Sequence, residues 1–237
     1  MTPSSAPPSE PPPDPGRASG HGAGAWLAAL VGTLAVANVI RSTVVPDGWH
    51  FWFNLAIGAA AGLVALGAGL DRVDLGLDPR LARDGLRVGA GAFAVASVVI
   101  IIGGLTGVVS DDRTDVNVQQ MLIRTLVTIP LATVLVEELA FRGVMHALMR
   151  RVWPPALATA VGAALFGLWH VLPTWQTGSA GDVEVSRLAA AAGTFAATTA
   201  AGVVFTWLRE RSGSLLSPAL LHLATNSVTF AVVWAAA

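Results

Sequence analysis

Six side chains of the types that hydrolysis requires lie within hydrophobic stretches of the sequence. They are two carboxylates, a guanidinium, two imidazoles and an amide, namely Glu137, Glu138, Arg142, His170, His222 and Asn226. A carboxylate can serve as a general base, an imidazole can position a water molecule, and fixed donors can stabilise an oxyanion. Polar groups of this kind inside a bilayer are costly, and they usually face a protein interior or a water-filled cavity. The set therefore predicts a hydrolytic site.

The spacing of these residues allows them to share one cavity. Glu138 and Arg142 are four residues apart, as are His222 and Asn226, so each pair lies on one face of a helix. At a rise of about 1.5 Å per residue, all six lie between the membrane midplane and its cytoplasmic face. One such pair alone is more often a satisfied structural interaction than a site. Six polar residues at one depth favour a functional cluster.

Composition indicates a helical membrane protein. Of the 237 residues, 54% are hydrophobic and only 12% are charged, and a soluble domain usually carries about twice that charged fraction. A bilayer-spanning helix needs roughly 20 apolar residues. The sequence predicts an all-α, polytopic transmembrane bundle of about seven spans, at 25–45, 49–70, 88–109, 121–149, 156–176, 188–208 and 215–235.

The chain divides into a tail and one transmembrane domain. Residues 1–24 are rich in Pro, Ser and Gly, a composition that buries too little apolar surface to order itself. We expect a disordered tail over 1–24 and a transmembrane helical domain over 25–237.

Arginine distribution predicts the orientation of the helices. Eight arginines lie in the even-numbered connections and three in the odd-numbered ones. Cytoplasmic loops carry the excess of basic residues, which places the N-terminus and the even connections in the cytoplasm. We expect a multi-pass protein of the bacterial plasma membrane.

Several function classes receive no support. The net charge is −1, and no basic patch interleaved with aromatic residues suggests nucleic-acid binding. Without cysteine, disulfides and thiolate metal sites are impossible. The expected partners are the lipid bilayer and a membrane-associated peptide or protein substrate, and the sequence leaves the oligomeric state open.

Three motifs occur in order on successive hydrophobic segments. They read EExxxR at 137–142, FxxxH at 166–170 and HxxxN at 222–226. Together they resemble the CPBP family of intramembrane proteases, which contains the type II CAAX prenyl proteases and the bacteriocin-processing or self-immunity proteins. The resemblance covers a protease-like core at about 120–230.

The resemblance implies an intramembrane endopeptidase of CAAX-protease type that hydrolyses a peptide bond with a glutamate-activated water. Glu137 would be the general base, and His170 would help to position the water. His222 and Asn226 would stabilise the oxyanion. Glu138 and Arg142 would form the pair that orients the site.

Alternatives remain open at this stage. Zn²⁺ is a possible cofactor, but the estimated depths of Glu137, His170 and His222 differ by up to roughly 10 Å, so we expect no obligatory metal. The polar cluster is also compatible with a non-catalytic membrane immunity or scaffold protein. An ion- or proton-coupled transporter is the third alternative, although the sequence shows no clear internal repeat of the kind found in transporters.

Overall fold

A computed structural model describes residues 20–106, 115–177 and 187–236 of the protein. Within these ranges the chain forms seven helices and no strand. They are α1 (Gly20–Thr43), α2 (His50–Gly67), α3 (Ala82–Leu105), α4 (118–152), α5 (Pro155–Thr177), α6 (Arg187–Ser212) and α7 (Leu216–Ala236).

The predicted helical membrane bundle is confirmed. Six helices of the described ranges are long and apolar enough to cross a bilayer, and they correspond to every predicted span except the fourth. The largest differences in helix boundaries are at the starts of α1 and α3, which begin five and six residues earlier than predicted. Helix α1 starts at Gly20, inside the predicted tail, while residues 1–19 lie outside the described ranges. Helix α3 starts at Ala82 because Asp78 caps a short 3₁₀ turn at Pro79–Leu81 that leads directly into it.

The fourth predicted span is helical but interrupted. After a capping box formed by Asn117 and Gln120, α4 changes to π-type hydrogen bonding at Arg124–Leu135 and again at Glu138–Met145. The first π stretch contains Pro130, which has no N–H to donate and cannot continue a regular α-helical ladder. The second contains the predicted Glu–Arg pair. Such π segments are frequent at functional sites.

Helix α4 lies at the centre of the bundle, where it contacts α1, α2, α5, α6 and α7. The peripheral helices pack in pairs, α5 along α6 and α3 along α7. Small residues permit this proximity, as expected for helices in lipid. A Cβ atom added to Gly202 on α6 would lie 3.0 Å from the Cα atom of Ala163 on α5.

The loop between α2 and α3 is fastened to the rest of the bundle. Arg151 of α4 donates to the Asp74 carboxylate at 2.8 Å, and Arg209 of α6 donates to the Asp74 carbonyl at 3.0 Å. Gly76, with φ of +71°, turns the loop so that its carbonyl accepts a hydrogen bond from the amide of Leu215. The second, fourth and sixth connections therefore lie at the same end of the bundle.

Candidate active site

Glu138 and Arg142 form a buried ion pair on the second π stretch of α4. Their relative exposures are 1% and 2%, and Arg142 Nη1 donates to Glu138 Oε1 at 3.2 Å. The Arg142 guanidinium also lies over the rings of Phe166 and Phe205, with its central carbon 3.9 Å and 4.8 Å from the two ring centres. A cation held against aromatic faces out of water is strongly attracted to them. The Arg142 guanidinium is therefore held both by the Glu138 carboxylate and by the two aromatic rings.

His222 of α7 is oriented by the same carboxylate. Its Nδ1 lies 2.8 Å from Glu138 Oε1, which also accepts from Arg142. Because an ionised carboxylate can only accept, His222 Nδ1 carries the proton in this bond. Phe205 stacks on the imidazole with its ring centre 4.9 Å away, which further fixes the ring plane. The other ring nitrogen, Nε2, faces Glu137 Oε2 at 3.8 Å.

His170 of α5 approaches Glu137 in the same manner. Its Nδ1 lies 2.8 Å from the Phe166 carbonyl oxygen, one helical turn earlier, and therefore donates to it. Its Nε2 lies 3.8 Å from Glu137 Oε2. The two imidazoles thus present the same nitrogen to the same carboxylate oxygen, and each is oriented through its Nδ1–H. Fixing one ring nitrogen in this way sets the role of the other.

Glu137 has two oxygens in different environments. Oε1 accepts a hydrogen bond from the indole nitrogen of Trp169 at 3.1 Å. Oε2 faces the two imidazoles and has no hydrogen-bond partner among the described residues. The side chain of Glu137 is 11% exposed and that of His170 is 29% exposed, whereas that of His222 is 3% exposed. Oε2 is therefore a buried atom, and the most exposed of the three side chains around it is that of His170.

Asn226 stands apart from the other five predicted residues. Its Nδ2 donates to the His222 carbonyl oxygen of its own helix at 3.2 Å, within the π stretch Ala224–Val228. The described contacts thus bring Glu137, Glu138, Arg142, His170 and His222 together and leave Asn226 beside them.

Comparison with protein families identifies the region that carries this site. Residues 119–228 match the family model described as type II CAAX prenyl endopeptidase Rce1-like. These residues form an Rce1-like domain. The match confirms the predicted resemblance to the CAAX proteases and, over these residues, indicates a protease of the CAAX type. Comparison with curated proteins and with solved structures gave no match.

The Rce1-like domain begins at α4 and ends within α7, so its range includes all six predicted residues. Helices α1, α2 and α3 precede it. The first of these nevertheless reaches the site, because Asn38 Nδ2 of α1 donates to the Trp169 carbonyl oxygen at 3.1 Å. The environment of Glu137 is therefore assembled partly from outside the family domain.

The fit of a metal ion to the Rce1-like domain depends on the spacing of three groups. Zinc binds nitrogen and oxygen donors at about 2.0–2.2 Å. Glu137 Oε2 lies 3.8 Å from each Nε2, and no group of three or more His, Asp or Glu in the described ranges is arranged to hold a metal ion. The donor types suit zinc, and each 3.8 Å separation is only slightly wider than the roughly 3.3–3.6 Å between two donors of one tetrahedral ion.

The depth difference of up to roughly 10 Å that helix rise predicts for these three groups overestimates the separation of their side-chain atoms. The Nε2 atom of each histidine lies 3.8 Å from Glu137 Oε2. Helix rise alone ignores the reach of the side chains and the tilt of membrane helices, which averages about 20°.

Sequence reasoning missed Trp169 as a member of the site. Trp169 directly precedes His170, but the tryptophans of this chain were interpreted together as interfacial anchors, because most of them lie near span ends. The available signal was the combination of a polar N–H with a position deep in a span, since a buried indole N–H usually finds an acceptor. Phe205 was missed for a different reason, because stacking on His222 depends on how α6 meets α7.

Proposed function

We propose that the chain is an intramembrane endopeptidase that hydrolyses a peptide bond of a membrane-associated substrate, with Glu137 as the general base. The observation that carries the proposal is the convergence of two imidazole nitrogens, from α5 and α7, on Glu137 Oε2 at 3.8 Å each. A water molecule that lies beside two atoms at that separation can form a hydrogen bond of about 2.8 Å to each of them. Glu137 and His170 supply acceptors for its protons, so the water is oriented with a lone pair toward a bound carbonyl.

The reaction proceeds through a tetrahedral intermediate. Glu137 Oε2 takes one proton from the water as its oxygen forms a bond to the carbonyl carbon of the scissile peptide. The negative charge moves to the former carbonyl oxygen. The proton on Glu137 then passes to the amide nitrogen as the carbon–nitrogen bond breaks. This returns Glu137 to its ionised form and leaves a carboxylic acid and an amine, and transfer of the acid's proton to the amine gives a carboxylate and an ammonium group as products.

His222 is the proposed donor to the oxyanion. In that role its ring carries a proton on each nitrogen, with Nδ1–H bound to the Glu138 carboxylate. The Nε2–H of that ring then points into the site. One fixed oxyanion donor is typically worth about 2.7–4 kcal/mol in the transition state. Asn226 Nδ2 uses one of its two N–H groups on the His222 carbonyl, and the amide becomes a second oxyanion donor when the side chain turns into the site.

The proposed orientation places the arginine-rich end of the bundle in the cytoplasm. The chain has no cysteine, so single-cysteine variants can be labelled without removing native thiols. A membrane-impermeant maleimide added to intact spheroplasts should label Asp47→Cys and leave Arg83→Cys unlabelled until the membrane is permeabilised. The reverse pattern would overturn the orientation.

Turnover by the purified protein tests the proposed function. The full chain is reconstituted in proteoliposomes with a fluorogenic farnesylated peptide that ends in a CAAX sequence, and protein termini are compared in membranes of cells that carry each variant. Glu137→Gln should abolish cleavage while the protein remains folded. Glu210→Gln is the matched control, because Glu210 is half-exposed on α6 and pairs with His146 outside the cluster. Cleavage that persists in Glu137→Gln would refute Glu137 as base. Identical termini and an uncleaved peptide with the wild-type chain would instead favour the immunity or scaffold alternative.

A further inference from the structure

The carboxylate of Glu137 is held by a residue that the family motifs do not include. The indole nitrogen of Trp169 donates to Glu137 Oε1 at 3.1 Å, and Trp169 is only 9% exposed. The indole packs edge-on against Phe141, with ring centres 6.0 Å apart. A buried donor of this kind on a packed aromatic ring has little freedom to move. It therefore fixes one oxygen of the carboxylate in space.

Helix α1 in turn holds Trp169. Asn38 is 8% exposed, and its Nδ2 donates to the Trp169 carbonyl oxygen at 3.1 Å. This carbonyl lies at the point in α5 where the side chains of Trp169 and His170 both turn toward Glu137. A hydrogen bond to it from a neighbouring helix sets the position of both side chains relative to α4. Since α1 lies outside residues 119–228, the bond connects the preceding part of the chain to the family domain.

The chemical consequence concerns which oxygen of Glu137 reacts. The last torsion of a glutamate side chain is broad and roughly two-fold, so an unrestrained carboxylate rotates readily. The Trp169 bond engages Oε1, and that choice directs Oε2 to the two imidazoles. A base must lie within hydrogen-bond reach of the proton that it removes. Loss of the indole N–H would leave Glu137 in place but free to turn away.

We propose that Trp169 and Asn38 are positioning residues that select Oε2 of Glu137 as the reacting oxygen, Trp169 directly and Asn38 through Trp169. The proposal rests on the proposed role of Glu137 as the general base. It predicts that both residues affect the rate of the chemical step far more than substrate binding.

Kinetics of two single variants and their combination test this role, with the farnesylated peptide in proteoliposomes as substrate. Trp169→Phe keeps an aromatic ring but removes the N–H, and it should lower kcat about 10- to 100-fold with KM changed less than about twofold. Asn38→Leu should lower kcat about three- to tenfold. The double variant should resemble Trp169→Phe alone, because both changes act through one bond.

Asn54→Leu, which alters a half-buried asparagine of α2, is the control and should leave kcat unchanged. Unchanged kcat in Trp169→Phe, losses that multiply in the double variant, or a loss confined to KM would each overturn the proposal.

A spectroscopic measurement separates this proposal from the proposed function. In protein labelled with ¹⁵N-tryptophan, the indole N–H signal of Trp169 is identified by its loss in Trp169→Phe. Its proton should exchange slowly in the wild-type chain, and both its frequency and its exchange rate should change in Glu137→Leu. A signal unaffected by Glu137→Leu would show that the bond does not exist. If the signal responds but the wild-type chain cleaves nothing, the bond stands while its role in catalysis falls with the proposed function.

Discussion

Burial, not distance, should determine what the two described Arg–carboxylate pairs contribute to stability. The Arg142–Glu138 pair has the longer N–O distance, 3.2 Å, but its side chains are 2% and 1% exposed. Arg142→Met retains much of the side-chain volume and removes the charge, which leaves Glu138 as a buried carboxylate whose remaining described partner is His222. Breaking such a pair from one side typically costs about 3–5 kcal/mol. The loss of the guanidinium from the faces of Phe166 and Phe205 acts in the same direction. We expect the free energy of unfolding to decrease by about 3–5 kcal/mol.

The Arg151–Asp74 pair is the matched comparison. Its N–O distance is shorter, 2.8 Å, but its side chains are 27% and 35% exposed. Exposed pairs contribute about 0–1 kcal/mol, and Arg151 also donates one hydrogen bond to the Ala68 carbonyl, worth about 1 kcal/mol. Arg151→Met should therefore cost no more than about 2 kcal/mol.

Both variants can be compared by reversible unfolding in mixed micelles of a mild detergent and dodecyl sulfate. The double variant Glu138→Gln/Arg142→Met should recover part of the stability that Arg142→Met loses, because the buried carboxylate charge is then removed together with the guanidinium that matched it. Equal losses for Arg142→Met and Arg151→Met, or no recovery in the double variant, would refute the reasoning that burial determines the cost.

Three further changes have defined expectations. Gly202→Leu should destabilise the protein by about 1–3 kcal/mol in the same unfolding assay, because the added side chain meets Ala163, while Gly193→Leu enters open space and should be nearly neutral. His170→Phe keeps a ring but removes Nε2, and it should lower the cleavage rate by about 10²-fold or more in a folded protein; a near-normal rate would remove this residue from the site. Asn226→Ala should lower the rate by roughly 20- to 150-fold, since a donor worth about 2.7–4 kcal/mol must first break a bond worth about 1 kcal/mol as its side chain turns into the site. A larger loss than that for His170→Phe would show that its amide already serves the oxyanion.

The sequence was sufficient to predict the helices and to select residues that the structure brings together, because both depend largely on local pattern. Apolar runs predict spans, and a spacing of four residues predicts that Glu138 and Arg142 share a face, as they do. Order along the chain also identified the segments that carry His170 and His222. The predicted boundaries were less accurate where a capping residue determines them. The start of α3 is an example, because Asp78 caps the 3₁₀ turn that leads into this helix.

The sequence was not sufficient where the answer depends on contacts between helices. The π-type hydrogen bonding of α4 changes the register of its side chains, and no spacing rule based on a regular helix anticipates it. The bond from Asn38 to Trp169 joins residues 131 positions apart. Only the packing of α1 on α5 reveals that the acceptor of Asn38 adjoins the candidate base.

Glu138 gains its two partners at different times during synthesis of the chain. Arg142 follows it by four residues and can pair with it as soon as α4 forms, whereas His222 is 84 residues further along the chain. The pair on α4 can therefore enter the membrane with its charges matched, before the helix that carries His222 has left the ribosome. Hydrolysis of the proposed kind cannot begin until α7 has inserted. A nascent chain that stalls after α6 remains inactive toward neighbouring peptides in the bilayer, because its carboxylates are present without the imidazole that links them.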